Sequence, residues 1–147
     1  LLAGATEAVR QHPEHPISLY LGKVRPNGPV FRAAIAEAEK QSAAWISHRE
    51  LCWGVALIFP ISMIEPMLAW CDVNRRVNNY DRQLSLWLEK EGVETYYTVP
   101  SLVDHREGLG SPSLVPGRTG LYRVAHRFIG AGVSATGLNW DTPVLRV

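Results

Sequence analysis

Two cysteines in 147 residues, Cys52 and Cys71, are too few for a disulfide framework, and no C-x-x-C spacing points to structural zinc. Both lie in apolar surroundings, Leu51-Cys52-Trp53 and Ala69-Trp70-Cys71, and read as small buried hydrophobes. No apolar run is long enough for a transmembrane helix. Neither sign of charge dominates: 15 Lys plus Arg face 14 Asp plus Glu, a net of +1. The basic surplus of a general nucleic-acid binder or a polybasic membrane-surface protein is therefore missing. Arg outnumbers Lys twelve to three, which is as compatible with coding bias as with phosphate binding. The opening Leu1 to Ala5 has no basic n-region, so the default expectation is a cytoplasmic protein without a signal peptide. No phosphate-loop, dinucleotide-turn, H-E-x-x-H or nucleophile-elbow signature occurs.

The residues that are present are apolar enough to fold. Hydrophobic residues make up 46% of the chain, which with near-zero net charge excludes disorder and suits a single domain over 1–147. Residues 1–12 read as a helix, broken by Pro13 and Pro16. Ile17 to Leu21 reads as a strand ending at Gly22, followed by a loop from Lys23 to Pro29 and a helix from Val30 to Gln41. Ala43 to Ser47 is a candidate strand. Leu51 to Phe59 is the most apolar run, and its continuous hydrophobicity predicts a strand buried on both faces. Ser62 to Asn74 predicts a helix opened by a Ser62–Glu65 capping box, with Ile64, Leu68 and Cys71 on its buried face. Asp81 is placed to cap a helix over Arg82 to Lys90 with Leu84, Trp87 and Leu88 on one face, and Gly92 to stop it. Val93 to Val99 predicts a strand. From Pro100 the chain reads mostly as loop. The class expected is α/β, a mixed sheet flanked by helices with a long C-terminal loop region.

Ligands of such sheets lie beyond the carboxyl ends of the strands, which draws attention to the residues after Val99. Ser101, Asp104, His105 and Arg106 put a hydroxyl, a carboxylate, an imidazole and a guanidinium within six residues. Carboxylate and imidazole ligate divalent metals or move protons, and Arg clamps phosphate with two parallel bonds. The same run is also compatible with a polar loop and a helix cap at Asp104. Asp81 is either an N-cap or a carboxylate at a helix start that serves as general base. Gly54, inside an apolar run, permits either a bulge or the close approach of a ligand or another backbone. Trp45, Trp53, Trp70 and Trp87 read as core before they read as a sugar-stacking platform. A Ser101–His105–Asp104 triad is disfavoured, since such near neighbours in sequence do not readily point at one another.

The succession from Cys52-Trp53-Gly54-Val55-Ala56 through Tyr80-Asp81-Arg82 to Pro100-Ser101-Leu102-Val103-Asp104-His105-Arg106 resembles a group of phage and bacterial glycosyltransferases. These are similar to the lipooligosaccharide-type transferases of glycosyltransferase family 25, with a GT-A-like fold. Ser113-Leu114-Val115 and Arg123-Val124-Ala125 resemble the group's C-terminal pattern, and the likeness spans residues 15–130. It implies sugar transfer from a nucleotide-sugar donor to a glycan or protein acceptor, with Mn or Mg. It further implies roles: Asp81, His105 and Asp104 catalytic, with His105 at the metal. Ser101, Arg106 and Arg118 hold the donor phosphates, and Trp53 and Gly54 line the acceptor side. The family's acidic Asp-x-Asp motif is missing, because Asp72, Asp81, Asp104 and Asp141 are all isolated. The resemblance places that motif upstream of Leu1, so that this chain would be the central and C-terminal part of a longer domain. A non-catalytic nucleotide- or glycan-binding relative, or a phage-associated structural one, is the alternative.

Overall fold

The computed structural model describes residues 2–22, 28–75, 79–104, 124–130 and 132–147. Among these, four helices and five strands form the α/β arrangement expected. The helices are α1 (Leu2–Gln11), α2 (Gly28–Lys40), α3 (Ile61–Val73) and α4 (Tyr80–Glu91). The strands are β1 (Ile17–Ser18), β2 (Trp45–His48), β3 (Leu57–Ile58), β4 (Thr95–Thr98) and β5 (Val144–Arg146). They form one mixed sheet in the order β3-β1-β4-β2-β5. β1 runs parallel to β4, and β2 parallel to β5; the β1–β3 and β2–β4 pairs are antiparallel.

Side chains alternate across the two inner strands, and each face takes its own helix. Ile46 and Tyr97 face α2, packing with Phe31, Ile35 and Ala38. Their neighbours Trp45 and Tyr96 face the other way, toward Ala8 of α1 and the Ala135–Trp140 segment. β4 is buried along its whole length. Tyr97 shows why this holds for a polar side chain as well. Its hydroxyl donates to Glu50 O (3.1 Å) and accepts from Cys52 N–H (2.9 Å), so the phenol is fully partnered inside. Burial drives its pKa well above 10.0, which keeps the proton in place.

Several local expectations are corrected. The apolar run from Leu51 to Phe59 does not form a central strand. Only Leu57–Ile58 pairs, at the edge of the sheet and half-buried, while Leu51, Cys52 and Trp53 fill the interior as irregular chain. Continuous hydrophobicity records burial, and a loop whose side chains turn inward gives the same pattern. Ala56 has a positive φ of 51°, which ends strand geometry on that side. In α3 the capping box is absent. Pro60 stands at the N-cap with no side-chain hydrogen bond, and Ser62 lies inside the helix. Its buried face is centred on Met67, with Met63, Trp70 and Cys71 beside it, whereas Ile64 and Leu68 are exposed. The helix is apolar nearly all round, so its composition does not fix which stripe faces inward. Asn79, not Asp81, caps α4: its side chain accepts from Asp81 N–H at 2.9 Å. Gly92 ends α4 in the left-handed conformation expected of it. The C-terminal stretch contains a strand where loop is expected, because Val144–Arg146 has too few residues to show periodicity. Of the two thiols, Cys52 is buried and Cys71 half-buried. No helix among the described residues is long and apolar enough to cross a membrane.

Candidate functional site

β1 and β4 are parallel neighbours, so their carboxyl ends emerge side by side at Leu19–Gly22 and Val99–Ser101. Beyond both strands the chain bends, and the two segments are hydrogen-bonded to their neighbours. Leu102 N–H donates to Leu19 O (2.8 Å) and His126 N–H to Leu21 O (2.8 Å). Gly22 bridges Ala125, and Ser101 bridges Phe128. Ser101 is buried, and its Oγ accepts from Leu21 N–H at 2.9 Å. Its hydroxyl therefore joins the two strand ends from inside.

Asp104 lies half-buried just beyond. Its Oδ1 accepts from Ala125 N–H at 2.6 Å. That bond joins residues 21 apart in the sequence, as a carboxylate–amide contact stronger than a neutral one. Asp104 is thus anchored by its backbone partner. His105, Arg106 and Arg118 lie outside the described residues, as do residues 23–27 of the predicted loop from Lys23 to Pro29, whose last two residues open α2 instead.

Trp53 connects this corner to the second carboxylate. Its ring is buried against Phe31 and Tyr97, edge-on to both, so it belongs to the core. Its Nε1 would sit 2.7 Å from a Cβ at Gly22, so glycine suits the point where the chain beyond β1 meets the indole. The next residue, Gly54, meets α4. A Cβ there would overlap the Asp81 carboxylate and come within 2.7 Å of the Tyr80 ring. The approach at Gly54 is by the side chains of Asp81 and Tyr80, not by a ligand or another backbone as expected. Tyr80 Oη donates to Gly54 O at 3.0 Å, which holds the two segments together. Burial, and then the charge of Asp81, raise the Tyr80 pKa above 10.0, so it remains a donor at neutral pH. Asp81 lies in the first turn of α4, where the helix dipole favours a carboxylate.

The fold therefore gathers Trp53, Gly54 and Asp81 into one cluster and Ser101 and Asp104 into another, with Gly22 between them. Gly22 and Tyr80 are additions to the residues that the sequence marks as candidates. A glycine closing an apolar strand is the available signal for the first; the second stands in the Tyr80-Asp81-Arg82 part of the resemblance, with no role attached to it. A half-buried carboxylate at a helix start can take a proton from a hydroxyl brought to it. Among the described residues no three His, Cys, Asp or Glu side chains converge as metal ligands. The described corner by itself therefore does not supply the donor set of a divalent cation. No family model, curated protein or solved structure matches this chain.

Proposed function

We propose that this chain is glycosyltransferase-like and transfers a sugar from a nucleotide-sugar donor to a glycan or protein acceptor. The supporting observation is that Ser101 and Asp104 stand beyond the carboxyl ends of β1 and β4, with the Trp53–Gly54–Asp81 cluster joined to the same corner through the contact of Trp53 with Gly22. In this reading Asp81 takes the proton from the acceptor hydroxyl. The freed oxygen bonds to the anomeric carbon, and the bond from that carbon to the nucleotide phosphate breaks. Asp104 fixes the entry of the segment carrying His105, Arg106 and Arg118, whose charges offset that of the leaving phosphate.

A panel of UDP, GDP, CMP and their sugars, each with and without Mn, tests this by thermal shift, because a ligand of the folded state raises the melting temperature. The expected result is a rise with one nucleotide class. Asp81→Asn should then lower transfer or donor hydrolysis by about a hundredfold or more while leaving that shift in place, and so should His105→Ala for turnover. No shift with any nucleotide overturns the reading. The isolation of all four aspartates favours one rival, a binding relative without catalysis. It predicts the same shift with no donor hydrolysis.

A further inference from the structure

At the amino ends of β1 and β4, across the sheet from Ser101 and Asp104, a cavity of about 720 Å³ opens between four parts of the chain. It is bounded by the α1–β1 connection, the residue after β2, the stretch from the end of α4 into β4, and the last residue of β5. Its size suits a small organic ligand. Leu88 and Tyr96 are buried and Val93 half-buried, which gives an apolar floor.

The charged rim is more specific. Arg146 pairs with Glu94 at 3.6 Å, and Glu89 is engaged by Arg82 and Ser85. Two rim groups remain, one of each sign. Arg49 and Glu14 line the same cavity, yet neither has an ion pair or a side-chain hydrogen bond among the described residues. His15 also lines the cavity, with its ring stacked on Tyr96 (centroids 4.2 Å apart, planes 15° apart), which extends the aromatic wall.

An anion would answer Arg49 and face Glu14 unpaired; a cation would do the reverse. A neutral apolar molecule would desolvate both without return. From this rim we infer a binding site for a zwitterion with an apolar side chain, an amino acid or short peptide with free termini. The carboxylate goes to Arg49, the ammonium to Glu14, and the side chain to the floor formed by Leu88, Val93 and Tyr96. The site is independent of the sugar-transfer reading and lies at the other end of the sheet.

Amide NMR titration of the whole chain with leucyl-phenylalanine tests it. The expected result is saturable shifts at Leu88, Val93 and Tyr96. Blocking either terminus, as the N-acetyl or the C-terminal amide form, should weaken binding by about ten-fold, the scale of one charge-assisted contact. Glu14→Gln should bind the free and N-acetyl forms alike, and Arg49→Gln the free and amide forms alike. Both side chains are exposed, so the fold tolerates these changes. Absence of saturable shifts at the floor overturns the assignment. So does indifference to the blocks, or sensitivity to only one terminus.

Discussion

The two ends of the central sheet are held by different means. At the carboxyl ends of β1 and β4, backbone meets its neighbours closely: Gly22 lies against Trp53, Gly54 against Asp81, and Ser101 and Asp104 bind main-chain amides. At the amino ends, rings fill the space. His15 lies flat on Tyr96, while His12 stands at an angle to both Tyr96 and Trp45 with centroids 4.6 Å away. Close packing leaves little slack, because an added carbon at Gly54 meets the Asp81 carboxylate and the Tyr80 ring, and one at Gly22 meets the Trp53 indole. Stacked rings leave gaps, and a cavity lies beside them. The tight end positions carboxylates accurately. The looser end leaves room for a ligand.

The sharpest way to break this contrast is Gly54→Ala. The new carbon overlaps Asp81 and crowds Tyr80, and overpacking of this kind costs about 1–3 kcal/mol, read by urea denaturation. Adding Asp81→Ala should return much of that loss, since the clashing atoms are gone. A double-mutant cycle with no coupling would show that the two segments do not meet as described. Asp104→Ala comes next, at about 1–2 kcal/mol, for it strands a half-buried amide. Hydrogen exchange should speed up at Ala125 more than at Tyr97.

Changes at the looser end should be smaller. Tyr96→Leu removes the stacking on His15 and should cost about 0.5–1.5 kcal/mol beyond the lost area. His12 adds a pH dependence. Burial, and then the charge of His15, hold its pKa below 6.5, so between that lowered value and pH 6.5 the unfolded chain binds more protons than the folded one. The stability His12 contributes is full above pH 6.5 and is lost as pH falls through this window. His12→Phe should flatten the slope there; an unchanged slope would assign the acid sensitivity to other groups.

Much of this architecture is legible in residue order. α1, α2 and α4 follow from helix-favouring composition, apolar residues spaced on one face, and breakers, and Gly92 does what a helix-ending glycine does. β2 and β4 follow from β-branched and aromatic residues. The failures have a common cause. The Leu51–Phe59 run, the buried stripe of α3 and the cap of α4 each offer two locally equivalent solutions. Leu68 and Met67 are both good apolar helix residues, and only the approach of α4 decides that Met67 is covered. Asn79 and Asp81 both make caps, and the helix starts where Asn79 can reach Asp81 N–H. In the candidate site, Asp81, Asp104 and Gly54 are visible as residue types in telling positions. Tyr80 is not, because its bond to the Gly54 carbonyl joins segments with no local relation.

By itself the sequence determined the α/β class, the placing of most elements and the concentration of polar chemistry after β4. These depend on local periodicity, turn chemistry and composition, which act over a few residues. The tertiary structure decided which side chains share a corner: Gly54 with Asp81, Gly22 with Trp53, Asp104 with Ala125, and Glu14 and Arg49 around one cavity. Those pairings rest on strand order and on how closely two backbones can approach. Both are set only when the sheet is assembled and its two faces are covered.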